Sequence, residues 1–416
     1  MDFTGKRLLI LAGAGVHNKV VRAAKEMGIY TIVTDNIENS PAKMIADESW
    51  MYSITDVDAI VERCKKDPVD GVVNFCIDPG QRPYLQICSK LCLPCYTDAG
   101  QLAILTDKRR FKEYCLAHNV DVIPEYTIED ILDNNAEYPV FIKPADSRGS
   151  RGQSVCYGRK EALKGIEFAK SESRSGGYIC EKYMQGYQDI GSTFYVIDGE
   201  PYLVKFADRF LGKAEDNMDK QVMCMKHPAA FDPTVFEEVQ DRTKQMIKSL
   251  GIRFGPVFMQ GFVDGDTIRY YDPAQRMPGG DYDLILKKVT GFDTVKTMIH
   301  FALTGDTKIH YGNPRNSFLL NGGTALMITV SVRPGKMSHV SGFDVIIQHP
   351  FVVYGRQIID EGAIIPATGD VRQRVAEIGA YIPQNEDIKE FVKFFYETYH
   401  ITDENNEDMI ISRYVV

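Results

Sequence analysis

Residues 138–154 read YPVFIKPADSRGSRGQS, and the rest of the chain is best understood from them outward. Tyr138 to Ile142 has the β-branched and aromatic content of a short buried strand, which ends on Lys143 and Pro144. Ser147, Arg148, Gly149, Ser150, Arg151 and Gly152 form a loop, and Val155 to Tyr157 reads as the returning strand, so the loop sits at the tip of a hairpin. Such a loop can fold backbone N–H groups around an anion, because glycine lets the backbone approach closely and adopts dihedrals closed to other residues. Lys143 adds a point charge for phosphate oxygens. Taken alone, the same composition also describes a solvated basic turn. Residues on either side separate the two readings.

Upstream, TDKRRFKEYCLAHN has the pattern of a helix with Thr106 or Asp107 as N-cap and Lys108 in its first turn. Further upstream, RLLILA is a continuous apolar run of the kind found in buried parallel strands. Gly13-Ala14-Gly15, an amphipathic helix and the strand YTIVTD follow. This βαβ opening carries an incomplete dinucleotide fingerprint, with Asn18 where the third glycine belongs and Asp35 near the position of the ribose-binding acid. SWMYSI, a helix over Val57 to Lys66, GVVNF and another helix continue the alternation, which predicts a parallel sheet.

Downstream, a helix over Lys160 to Lys170 leads to the strand YICEKYMQG, and then to the strands STFYVID and PYLVKFADR. A long amphipathic helix follows. GPVFMQGFV and TIRYYDPAQRMPGG then read as an antiparallel pair across the turn Asp264-Gly265-Asp266. Gln260 and Asp272 fall near one end of that pair and can face one cleft, an oxygen-donor set suited to magnesium. Beyond residue 305, TALMITVSV, DVIIQHPFVVY and AIIPATG read as short strands, with a closing helix DIKEFVKFFYETYH.

The chain has 416 residues and a net charge of −9, which argues against nonspecific nucleic-acid binding. Neither a signal peptide nor a membrane-length apolar run is apparent, so the cytoplasm is the expected location. Nine cysteines, with Cys88, Cys92 and Cys95 closely spaced, fit unpaired and mostly buried thiols. The trio straddles the end of one helix and LPCYT, which reads as a short strand.

In this order the residues resemble the ATP-grasp superfamily, particularly the branch of carbamoyl-phosphate synthetase and biotin carboxylase. The resemblance implies an α/β and α+β multidomain chain. Its parts are a Rossmann-like pre-ATP-grasp domain over 1–105, an ATP-grasp core of two subdomains over 106–305 with a lid over about 125–190, and a β-rich, biotin-carboxylase-like cap over 306–416. It implies that Lys108, Lys143 and the loop with Ser147, Arg148, Gly149, Ser150 and Gly152 hold the phosphates of ATP. Glu181, Lys182, Tyr183 and Met184 correspond to the adenine-reading hinge, and Asp189 to an acidic ribose contact. Gln260 and Asp272 correspond to the ligands of Mg2+ (or Mn2+), although Ala274 stands where the family carries asparagine.

Enzymes of this kind activate a carboxylate as an acyl phosphate for attack by an amine or similar nucleophile. Arg276 and Arg209 are the expected holders of the carboxylate and the transferring phosphoryl group. The alternatives are a bicarbonate-using carboxylase of the same fold and a non-catalytic nucleotide-binding regulator. The expected partners are small-molecule carboxylate and amine substrates, with neither nucleic acid nor membrane. A homodimer is common in the family.

Overall fold

The computed structural model describes residues 3–145, 152–173, 175–212, 221–231, 233–369 and 371–416. Four strands open the chain, β1 (Arg7–Leu11), β2 (Tyr30–Thr34), β3 (Glu48–Trp50) and β4 (Gly71–Val73). They form a parallel sheet in the order β3-β2-β1-β4. Leu8, Leu9, Ile10 and Leu11 are wholly buried beneath the crossover helices, which is why that run is apolar without alternation. Asp35 fastens the glycine turn after β1, taking the Gly13 N–H at 2.6 Å and the Ile37 N–H at 2.7 Å. A Cβ on Gly13 would lie 2.0 Å from Ser40 Oγ, so the turn closes only on glycine.

The hairpin around which the sequence was read forms with β5 (Val140–Pro144) and β6 (Ser154–Cys156), and β7 (Tyr178–Lys182) pairs along the other edge of β5. Val140 and Ile142 pack on Ala162, Ile166 and Ala169 of the helix Arg159–Glu172. Phe141 and Lys143 project from the opposite face of β5, as strand alternation requires. Ser147, Arg148, Gly149 and Ser150 lie outside the described residues. Gly152 has φ +74, and a Cβ there would lie 2.6 Å from Pro144 Cγ.

The largest element is an antiparallel sheet containing β8 (Gln188–Ile197), β9 (Glu200–Leu211), β10 (Val222–His227), β11 (Phe254–Asp264), β12 (Thr267–Ala274) and β13 (Thr324–Ser331). Its eight strands run β12-β11-β8-β9-β10-β13, then Arg374–Ile382 and Val352–Gln357. The last hundred residues therefore extend the core sheet through the β10–β13 pairing. Within that region DVIIQHPFVVY, read as strand from Asp344, begins inside the helix Phe343–Ile347, and AIIPATG contributes only Ile364–Ile365. LPCYT forms no strand. All nine cysteines are free, and seven of them are buried. Among the described residues no helix is long and apolar enough to cross a membrane.

Candidate active site

The face of β5 that carries Phe141 and Lys143 looks across a cleft of about 580 Å³ toward the large sheet. Lys108, Lys143, Gln153, the run from Glu181 to Asp189, Arg209 and Tyr271 line it. Lys108 is the first residue of the helix Lys108–Ala117. Asp107 is its N-cap and accepts from the N–H groups of Arg109 and Arg110 at 3.0 and 3.1 Å.

Glu181 is buried between two lysines. Its Oε1 accepts from Lys143 Nζ at 2.5 Å and its Oε2 from Lys112 Nζ at 2.8 Å. Burial pushes the Glu181 carboxyl up, but Lys143 and Lys112 outweigh that effect and hold it below the ordinary carboxylate range. Burial lowers Lys143, with Glu181 pulling the other way. Both carboxylate oxygens are thus engaged by lysines, one from the helix Lys108–Ala117 and one from β5, and Glu181 aims Lys143 at the cleft. The rest of the hinge is held by its backbone, since the N–H groups of Lys182 and Tyr183 donate to the carbonyls of Pro124 and Pro139 at 2.9 and 3.0 Å. The Tyr183 and Phe141 rings stack with centroids 6.1 Å apart, and Met184 is buried.

On the opposite wall four side chains form one chain of contacts. Arg209 Nη1 donates to both oxygens of Asp189 at 2.8 and 2.9 Å and lies 3.2 Å from Tyr271 Oη. Tyr271 Oη in turn donates to Gln260 Oε1 at 3.0 Å. Burial raises the Asp189 carboxyl to about 6, with Arg209 and Tyr271 opposing the rise. Gln260 and Asp272 are cross-strand partners on β11 and β12, so their side chains share one face. Asp272 pairs with Lys108 at 3.0 Å. Gln260 and Asp272 supply an amide oxygen and a carboxylate, a hard-donor pair that fits a magnesium ion completed by water and phosphate oxygens. Lys108 and Lys143 fit the phosphates themselves.

A second cavity of about 250 Å³ adjoins the first and is lined by Lys205, Arg209, Gln260, Arg276, Arg374 and Glu377, among others. Arg276 forks onto Asp78, and its guanidinium lies 5.5 Å from the Phe258 ring. Lys205 is buried, meets Met225 Sδ at 3.9 Å and is lowered by burial to about 7. Gln275, adjacent to Arg276, points away from both cavities. It is wholly buried and held by Thr97, Gln101 and the Tyr96 carbonyl, which ties the core to the N-terminal layer. Lys112, Lys205, Tyr271 and Asp78 were missed in the sequence. The doubled tyrosine in TIRYYD, which breaks strand alternation, was the available signal for Tyr271.

Residues 8–88 match the family described as PylC-like, N-terminal domain, and residues 107–308 match the carbamoyl-phosphate synthase L chain, ATP binding domain. A formate-dependent phosphoribosylglycinamide formyltransferase from Sulfurisphaera tokodaii is 22% identical over 71% of this chain and 75% of that protein. Its counterpart from Francisella tularensis is 23% identical over 78% and 84%. Among solved structures, phosphoribosylglycinamide synthetase from Anaerococcus prevotii superposes with a TM-score of 0.77 at 18% identity, over 96% of this chain and all (100%) of that one. The biotin carboxylase domain of Hydrogenobacter thermophilus 2-oxoglutarate carboxylase, a dimer in complex with MgADP, gives 0.73 at 18%, over 95% and 90%. Two successive family matches and a fold shared along nearly the whole length agree: the chain belongs to the ATP-grasp superfamily of ATP-dependent ligases, in the branch of carbamoyl-phosphate synthetase and biotin carboxylase.

Proposed function

We propose that this chain phosphorylates a small carboxylic acid with ATP and passes the acyl group to an amine. The observation that carries the reading is Arg209, which lines both the cleft suited to a nucleotide and the smaller cationic cavity beside it. A guanidinium at that junction can hold a phosphoryl group on one side and a carboxylate on the other. On this reading Lys108 and Lys143 grip the triphosphate, and the hinge from Glu181 to Met184 borders the base. Lys205, Arg209 and Arg276 hold the acid. Magnesium bound by Gln260 and Asp272 supplies further neutralisation of the triphosphate.

The carboxylate oxygen forms a bond to the γ-phosphorus as the bond from that phosphorus to ADP breaks. The amine nitrogen then bonds to the acyl carbon, and the carbon–oxygen bond to phosphate breaks. Catalysis of this sort is mainly positioning and charge stabilisation, which the cluster of cations supports. An amine arriving unprotonated needs no dedicated base.

Ala274 in place of the family asparagine favours a second reading, a nucleotide-binding regulator without turnover. Incubating the protein with ATP and magnesium and screening carboxylic acids with amines for ADP release separates the two, since only a ligase releases ADP in response to an acid. We extend to this chain the dimer described for the Hydrogenobacter domain, which light scattering checks as a doubled mass.

A further inference from the structure

Away from both cavities, three ligating side chains converge where the helix Thr294–Thr304 ends. His300 lies one turn before its end, Gly305 closes the helix with φ +69, and the chain folds back to bring Asp306 and His310 against it. One ligand atom from each of the three lies within 4.8 Å of the others. His310 Nε2 is 2.8 Å from Asp306 Oδ2, and His300 Nε2 is 3.9 Å from the same oxygen. Asp306 Oδ1 accepts from the Lys308 N–H at 3.0 Å, which fixes the carboxylate and leaves Oδ2 facing both imidazoles.

His300 is the informative member. It is 3% exposed, its Nδ1 has no hydrogen-bond partner, and its Nε2 faces the carboxylate from beyond hydrogen-bond distance. A buried imidazole left in this way costs free energy, and core histidines ordinarily find a donor and an acceptor. The Phe3 ring packs against it edge-on at 5.5 Å, and the His310 ring lies 4.2 Å away, so its direction is set by packing.

We propose that His300, Asp306 and His310 bind one divalent transition metal ion, of which zinc fits best. Two imidazole nitrogens and a carboxylate oxygen make a zinc donor set, with water as fourth ligand, whereas magnesium avoids imidazole. With metal–ligand bonds of ~2.0–2.1 Å, neighbouring donors of a tetrahedral site lie roughly 3.4 Å apart, so His300 has to close on Asp306 from 3.9 Å while the 2.8 Å contact between His310 and Asp306 opens slightly. The ion is distinct from the one proposed for Gln260 and Asp272, since Gln260 lines the smaller cavity and none of the three residues lines either. Its role is structural. The helix carrying His300 packs on the helix Asn18–Glu26 and on β4. Thr307 Oγ1 donates to Asp198 Oδ1 at 3.0 Å in the β8–β9 turn. A metal there staples the N-terminal layer to the core.

The test uses the full chain freed of metal with a chelator and titrated calorimetrically with zinc. Cobalt serves as a second probe, because its visible absorption reports low-coordinate nitrogen and oxygen ligation. The expected result is one tight zinc per chain, a raised melting temperature, and affinity reduced by more than about 100-fold in His310→Ala and Asp306→Asn. Both variants alter partly exposed residues and keep the test valid if His300→Ala fails to fold. Absence of binding, zinc taken up with unchanged affinity by both variants (through thiols, for example), or only weak adventitious binding overturns the proposal.

Discussion

Arg276 grips Asp78 as a guanidinium grips a free carboxylate, with Nε donating to Oδ1 at 2.5 Å and Nη2 to Oδ2 at 2.7 Å. The two residues come from different layers, Asp78 from the turn after β4 and Arg276 from the chain just beyond β12. The Asp78 side chain is 60% exposed and that of Arg276 12%, so the pair opens to solvent on the acid side. Such a pair contributes only about 0–1 kcal/mol to stability, and a substrate carboxylate can displace it. Asp78→Asn should leave the melting temperature nearly unchanged and lower KM for the acid about two- to fivefold. Arg276→Ala should raise KM. Steady-state kinetics on both variants check this, and a raised KM in Asp78→Asn would make Asp78 part of the substrate's own grip.

Lys143→Met removes the charge-assisted contact to phosphate proposed for it, worth about 1.5–3 kcal/mol, or roughly 10- to 150-fold in ATP affinity. Glu181 keeps its bond to Lys112 in that variant, so the lid should remain folded. Calorimetric titration with ATP gives the answer.

Burial lowers Lys205 to about 7, far below the ordinary lysine value. The cation is present below that pH and lost above it, so KM for the acid should rise as pH climbs through 7, and Lys205→Met should abolish the dependence. The sign for stability runs the other way. Between about 7 and 10.4 the unfolded chain holds a proton that the folded chain has shed, so stability relative to Lys205→Met rises with pH across that window. Denaturant titrations at several pH values measure it.

Asp272→Asn should abolish ADP release while preserving the fold, because it removes the anionic member of the pair proposed to hold magnesium. Ala274 is opposite Phe258 in the β11–β12 register, two residues along from Asp272 and therefore on the same face. Ala274→Asn restores the family's oxygen donor there and should match or exceed wild-type turnover. Coupled ADP assays on the two proteins test the site from both directions.

The lid hairpin, the capped helix at Lys108 and the β11–β12 pair were legible because each depends on local patterning. Alternation put Phe141 and Lys143 on one face, Asp107 supplied a cap, and a tight turn joined the two strands. Tyr271 was legible only through the doubled tyrosine of TIRYYD, which does not say where the side chain points. It is the extra residue of a β-bulge, since Gln260 pairs with Asp272 and Gly261 with Tyr270, and a bulge re-aims a side chain that alternation would send elsewhere. Lys112, Lys205 and Asp78 act through partners distant in sequence, so nothing near them announced a role. The long sheet shared by β10 and β13 is likewise a non-local pairing that short-range pattern does not carry.

The central claim is that an acid accepts the γ-phosphoryl group, and trapping the acyl phosphate with hydroxylamine tests it most directly. The protein is incubated with ATP, magnesium, hydroxylamine and each of a panel of carboxylic acids, and hydroxamate and ADP are measured together. The account predicts at least one acid that yields the two products in equal amounts, with both lost in Asp272→Asn. If the protein binds ATP but no acid yields hydroxamate or ADP, even in Ala274→Asn, the ligase account is contradicted and the regulator reading takes its place.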